Sequence, residues 1–525
     1  MLFGVIIFSS CTKNFQELNA THDKPSSTTI GPLVNGVIST LFLTGTEQAS
    51  VHNDYYYTIT QLGATSSISG YVLSNAVSEI WNNYYGSLQN MNLIQDQINA
   101  VGDKESMNNI QAILYTLRAY KTFRVTDQFG DIPYFKAGKA YKGDVANFRV
   151  AYDPQQLIYD SLLSDLTWAV KNINTNASAT TSAGNPYVAI GSYDVFLGGD
   201  MTKWLKFANS LRLRYAMQMV EKDPTTATPI IQDAISGSAP LIDSGNDVCF
   251  WPAKLGGYDL WVRWWSFSSG GAGFVRTSST MWNMVADNTT DTGIFDPRAK
   301  LFVETNQAGK WAPYTIGVST GDAINAYFSP TDSSQKNDCI YSPFNWFLIR
   351  NEWTIPELLM TEAEVHFLKA EAYARGLGVG QSVPTAETEY KAGITSSINF
   401  WYNIANSTDD ASTNWKAVAP QLPTDLSGLF NNPKVKFTGT SDDAVTKIYA
   451  QEWLASFRQP WLAFNLWRRT GKTPVDPASV PTTTNATFYR LPYAQDEAVN
   501  NTENYNAQLS KIGGNNSNVK VWWMP

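Results

Sequence analysis

With 525 residues, of which 43% are hydrophobic and only 16% charged, the chain has ample material for a core, and general disorder is excluded. A formal charge of -8 excludes the surplus of clustered Lys and Arg that phosphate-backbone binding draws on, so no nucleic acid is expected as a partner and a neutral ligand fits better. No long Ser/Gly/Pro linker or charge block divides the chain, and one closely joined unit is predicted over residues 11–525.

The first element is MLFGVIIFSSCTKNF, where an apolar run from Leu2 to Phe8 leads through Ser9-Ser10 to Cys11. Small residues before a cysteine suit lipoprotein cleavage, which would remove residues 1–10 and leave Cys11 as an acylated N-terminus held in membrane lipid. The usual cationic start is missing, and the competing reading of the run is an ordinary buried segment. No other stretch approaches the roughly 20 apolar residues that a helix needs to span a bilayer. Cys249 and Cys339 then remain, which permits one disulfide without requiring it.

Helical periodicity follows in pairs. Residues 76–100 and 106–126 are separated by a short GDKE turn, as in an antiparallel helical hairpin. A second pair begins at Asp153-Pro154, read as an N-cap and a first-turn proline, and ends with KWLKFANSLRLRYAMQMVEKDP at 203–224. In that helix Trp204, Phe207, Ala208, Leu211, Tyr215 and Met219 share one stripe while Lys203, Lys206, Arg212 and Arg214 scatter, so it is expected to serve the protein's own core and not an anion or a lipid surface. Asp223-Pro224 is read as its end. In the third pair, Thr361 and Glu364 form a capping box, Gly376 stops the helix, and a partner runs from about Thr385 to Tyr402. The fourth pair, DDAVTKIYAQEWLASF and PWLAFNLWRRTGK, is kept tight by Pro460. Between the pairs, residues 225–357 lack sustained 3.6 periodicity and predict a lobe of loops and short strands; residues 474–525 read as largely irregular.

Together, CTKNFQELN, DQFGDIPY at 127–134, GGDMTKWLKFANSLRLRYAMQM, MTEAEVHFLKAEAYARG, QEWLASFRQPWLAFNLWRRTG and RLPYAQDEAVNNTENYNA, in this order, resemble the SusD/RagB outer-membrane lipoproteins. The likeness runs from Cys11 to the C-terminus. It is nearest to the branch with FANSLRLR and YKAGITSSINFWY, much of which is annotated by similarity as starch-binding. The resemblance implies a mainly α, SusD-like fold: four tetratricopeptide-like helical hairpins as scaffold, here about 75–222 and 358–473, with an irregular lobe carrying the ligand site. It also implies non-catalytic, cell-surface binding of oligosaccharide, delivered to a SusC-like TonB-dependent transporter by a protein anchored in the outer membrane through Cys11. Binding of peptide, or service as a structural lid for the transporter, are the alternatives.

Five of the eighteen tryptophans, Trp251, Trp261, Trp264, Trp265 and Trp282, fall within residues 251–282. Sugars present C-H faces that stack on flat rings, and Asp259 and Arg263 supply polar neighbours for hydroxyls. For any single ring the competing reading is that it plugs the interior of the lobe. Asn345-Trp346, with Arg350 and Trp353, and Tyr55-Tyr56-Tyr57 are further candidates for the same surface. Asp287, Asp291 and Asp296 have suggestive spacing for calcium. Thr292 and Arg298, however, stand where an EF-hand loop needs glycine and glutamate, so Asx turns are preferred, with Asp287 and Asp291 left as candidate metal ligands. The histidines, His22, His52 and His366, show no HExxH pattern, and neither a GxSxG elbow nor a phosphate-binding glycine loop is present. No catalysis and no cofactor are expected.

Overall fold

The computed structural model describes residues 29–64, 74–251, 275–315, 339–345, 356–407, 419–476 and 488–525. The apolar spacing of the first pair becomes buried surface. Along α2 (Ser74–Ala100), Val77, Ile80, Trp81, Tyr84, Leu88, Met91, Ile94 and Ile98 form one continuous buried stripe. It packs against α3 (Asn108–Phe129), which is buried almost all round because α4 (Gln155–Asn172) covers another of its faces. Gly130, at φ 80°, ends α3 in a conformation that a side chain would oppose. The preceding helix α1 (Ile30–Ile38) lies on α2.

The second pair departs from the predicted cap. Asp153 does not cap α4; its carboxylate accepts the N–H groups of Tyr134 (2.8 Å) and Phe135 (3.0 Å), while Asp131 accepts the Gln155 N–H at 2.9 Å. The sequence places a competent acceptor at Asp153, but the Gly130-Asp131 turn brings a better-aligned one from outside the local sequence. In α5 (Met201–Met219), capped by Asp200, the predicted stripe is fully buried. Three of its four cations pair within the protein: Arg214 with Glu364 at 2.5 Å, Arg212 with Asp233 at 2.6 Å and Lys206 with Asp243 at 2.5 Å. Asp223-Pro224 closes α5 by starting α6 (Pro224–Ser236), where Asp223 accepts the Thr226 N–H and Ala227, Ile231 and Ala234 face inward. This helix falls where loop was predicted, because two prolines and a Thr-rich stretch mask its short stripe.

Two small antiparallel pairings, β1 (Gly63–Ala64) with β3 (Arg276–Thr277) and β2 (Val248–Phe250) with β4 (Glu357–Met360), tie the lobe to the helices. Within the lobe lies a further short helix, α7 (Ser279–Val285). Helix α8 (Glu362–Arg375) starts at Thr361, which accepts the Glu364 N–H at 3.2 Å, and stops at Gly376 with φ 71°. The capping box is only half formed: the Glu364 side chain is taken by Arg214. Helix α9 (Val383–Ser407) packs on α8, and α10 (Ser441–Ala455) is followed by α11 (Pro460–Thr470), with Pro460 in its first turn. In the C-terminal region, α12 (Thr502–Ile512) breaks the predicted irregularity.

Among the described residues two large apolar cores form, and α8 belongs to both. Val365, Leu368 and Ala372 enter the core of α1 to α6, whereas Ala363, Phe367, Ala370 and Ala374 enter the core of α7, α9 and α10. Beside them Glu371, fully buried, accepts two hydrogen bonds from Arg469 (2.7 and 2.8 Å), one from Arg375 and one from the Tyr449 hydroxyl. A buried charge needs this degree of compensation.

Candidate ligand-binding site

Strand β2 ends at Phe250, and the next residue, Trp251, exposes its ring. Opposite runs one face of α9, where Ser396, Asn399, Phe400, Asn403 and Ser407 recur at helical spacing. Between them lies a cleft of about 580 Å³. Asn399 and Asn403 are exposed on adjacent turns, so their amides can act together; Phe400 is half-buried and turned edge-on to Trp401.

The floor of the cleft is acidic. Asp247 accepts the Glu362 N–H at 2.9 Å, and burial pushes its carboxyl up to about 6. Glu362 is held below the usual carboxylate range, chiefly by its hydrogen bond to His366, and it accepts the N–H groups of Ser244 and Gly245 at 2.9 and 2.8 Å. Burial opposes charge on His366, but Glu362 at 3.5 Å and Glu389 at 2.6 Å outweigh it and raise the imidazole to about 9. Chemically, the cleft offers two aromatic surfaces, amide donors and acceptors, hydroxyls and carboxylate acceptors, a set suited to a polyhydroxylated ligand.

The predicted lobe residues fare differently. Asp259, Trp261, Arg263, Trp264, Trp265, Trp346, Arg350 and Trp353 lie outside the described residues, as does Cys11. Trp282 is buried, stacked on Trp311 at 5.0 Å with its N–H on the Asn288 carbonyl, and so offers no face to a ligand. Asn345 is buried against Phe302 and Lys300. Tyr55, Tyr56 and Tyr57 are also interior: Tyr56 stacks on Phe464 and Tyr57 donates to the Phe457 carbonyl. For these residues, plugging of the interior is the reading that the geometry supports. The candidate metal ligands are engaged elsewhere, Asp287 with Lys434 at 3.1 Å and Asp291 with the Trp311 N–H at 2.8 Å, while Asp296 pairs with Arg298. Among the described residues no group of three His, Cys, Asp or Glu could hold a metal. Cys249 and Cys339 are both buried, and no disulfide joins them.

The α9 face went unnoticed in the sequence. Its signal was available: SSINFWYNIANS carries asparagines four apart on the side of the helix away from Ile398, Trp401 and Tyr402.

Residues 21–493 match the SusD-like family described as starch-binding and associating with the outer membrane. The chain belongs to this family. A SusD homolog from Parabacteroides distasonis is 22% identical, with 95% of this chain and 98% of that one covered at a TM-score of 0.71. A chitin-binding SusD homolog from Flavobacterium johnsoniae is 21% identical over 93% and 98% of the two chains, at 0.62. Another chitin-binding protein is 23% identical over 95% and 100%, at 0.68. At these identities the likeness is one of fold. No curated protein matches the chain. Among the described residues no helix is long and apolar enough to cross a membrane.

Proposed function

We propose that this protein captures oligosaccharide at the cell surface without chemistry and delivers it to a SusC-like TonB-dependent transporter, anchored in the outer membrane by an acylated Cys11. The observation that carries the reading is the cleft between Trp251 and the Asn399/Asn403 face of α9, on a scaffold whose family is described as starch-binding. A pyranose ring placed on Trp251 would have side-chain amides within reach for its hydroxyls, and Asp247 and Glu362 would add acceptors. Beyond Trp251 the chain continues into the segment holding Asp259, Trp261, Arg263, Trp264 and Trp265, which belong to the same proposal from sequence alone. Two chitin-binding proteins of the same fold make N-acetylated glucans the first ligands to try beside starch.

Affinity electrophoresis and calorimetry with α-glucans, chitin oligosaccharides, β-glucans, mannans and pectins test it. One glycan is expected to bind at micromolar or weaker affinity, and Trp251→Ala to weaken it about tenfold or more, the loss of one ring's stacking energy. Asn399→Ala/Asn403→Ala should do the same. Full affinity in both variants would remove the cleft from the reading, and retention of no glycan at all would remove the reading.

A further inference from the structure

Of the ten large hydrophobic side chains exposed among the described residues, five fall between residues 135 and 157: Phe135, Tyr141, Val145, Phe148 and Leu157. Scattered single exposures are ordinary, but a cluster of this kind on one segment marks an interaction surface. Interleaved with them in YFKAGKAYKGDVANFR are Lys136, Lys139, Lys142 and Arg149, opposed within the segment only by Asp144, in a chain whose net charge is -8. Val145 is 81% exposed and Phe148 60%.

The segment is a built platform. Asn92 of α2 donates to the carbonyls of Ala137 and Gly138 at 3.0 and 3.1 Å, and Gly138, at φ 69°, lets the backbone press onto Leu88 and Gln89. Asp96 of α2 accepts from Tyr141 at 2.7 Å and from Lys142 at 2.9 Å. Asp144 caps the turn Val145–Asn147. The side chains of Phe148 and Val145 are therefore presented outward by a braced loop.

We propose that this loop docks on a lipid surface bearing anionic phosphate headgroups, with Phe135, Val145 and Phe148 entering the headgroup boundary and Lys136, Lys139 and Arg149 pairing with phosphate, while Lys142 stays on Asp96 as part of the brace. Two features favour lipid over an acidic protein face. Lysine is depleted in protein interfaces, yet two of these three cations are lysines, and alternation of long cationic stems with aromatic rings is the composition of interfacial membrane elements. The second is position. Thr40 meets Ser87 at 2.9 Å and Gly36 lies beside Asn90, so α1 runs antiparallel to the C-terminal half of α2. Its N-terminal end thus points toward the end of α2 where Asp96 holds the loop. Cys11 lies eighteen residues before Thr29, a span of at most roughly 60 Å of chain, so an anchor there would keep the loop within reach of its bilayer. The inference is independent of which glycan, if any, the cleft takes.

The test is co-sedimentation of the full chain carrying Cys11→Ala, so that no acyl group contributes, with vesicles of phosphatidylcholine with or without phosphatidylglycerol. Binding is expected only with phosphatidylglycerol, weakening as salt is raised. Lys136→Gln/Lys139→Gln/Arg149→Gln should reduce it by roughly tenfold or more, and Phe135→Ser/Val145→Ser/Phe148→Ser by a similar factor, with an unchanged far-UV spectrum showing that both variants are folded. Equal sedimentation of the charge variant would overturn the proposal and assign any binding to the Leu2–Phe8 run. Absence of vesicle binding, or equal binding to both lipids, would overturn it too. Glycan affinity measured on the same variants separates this result from the fate of the cleft.

Discussion

His366 illustrates how one side chain's surroundings set a pH dependence for the whole fold. It faces Glu362 and Glu389, with Lys369 as the opposing like charge, and its pKa rises from 6.5 to about 9. A histidine that holds its proton more tightly when folded stabilises the native state fully below its unfolded pKa and ceases to do so as pH climbs through the folded one. The window is therefore pH 6.5 to 9. Because the ring retains some solvent contact, screening trims the effect to roughly 1–2 kcal/mol. Glu452, raised to about 8 by burial, tilts stability in the same direction, so the histidine's share must be read by difference. Denaturant unfolding at several pH values should show wild type losing about 1–2 kcal/mol more than His366→Gln between pH 6.5 and 9. Parallel curves would mean that folding does not raise the imidazole pKa.

At the scale of elements, the packing of α8 on α9 is decided by a missing side chain. A Cβ on Gly393 would stand 2.9 to 3.1 Å from the ring of Phe367, which is itself fully buried and has nowhere to retreat. Alanine is the better helix former by about 1 kcal/mol, so propensity alone predicts that Gly393→Ala stabilises α9. Overpacking should win, for a net loss of about 1–3 kcal/mol measured by thermal or denaturant unfolding, and a variant as stable as wild type would show that the helices can move apart. The same contrast explains what was legible in the sequence. Long stripes such as Val77 to Ile98 and Trp204 to Met219 declare their helices because core packing and periodicity agree. The cap of α4 was misassigned because Asp131 reaches it through a turn, a contact that local sequence does not encode. Helices α6 and α12 were missed because prolines in one and Asn/Thr richness in the other dilute stripes of only two or three buried residues. For the site, the tryptophan cluster drew the eye to residues 251–282, and its two described members took opposite fates: Trp251 is exposed at a cleft and Trp282 plugs the lobe. Composition cannot separate those outcomes, since both follow from aromatic surface seeking cover.

Across the whole molecule, the chain's last residues are bound into its first hairpin. Asp127 of α3, raised to about 6 by burial, accepts hydrogen bonds from four distant segments: Tyr159 of α4, Gln218 of α5, Asn465 of α11, and Trp523, whose indole N–H lies 2.9 Å away. Trp523 is completely buried, and the guanidinium of Arg468 lies over its ring at 4.7 Å. One residue of the tail thus supplies apolar volume, a donor to a desolvated carboxyl and a cation–π surface at a junction of sequence-distant elements. Trp523→Ala should therefore lower stability by about 3–5 kcal/mol, as expected for emptying a core site of an indole. Trp523→Phe keeps most of the volume and removes the donor, and about 1–2 kcal/mol is expected from that loss. Because α8 and α11 place residues in both cores, the destabilisation should reach the region around the cleft as well: far-UV and near-UV dichroism should report a single shifted transition in Trp523→Ala. Two separated transitions, with the second at the wild-type midpoint, would mean that the core of α7, α9 and α10 stands by itself and that the tail serves only the first helices.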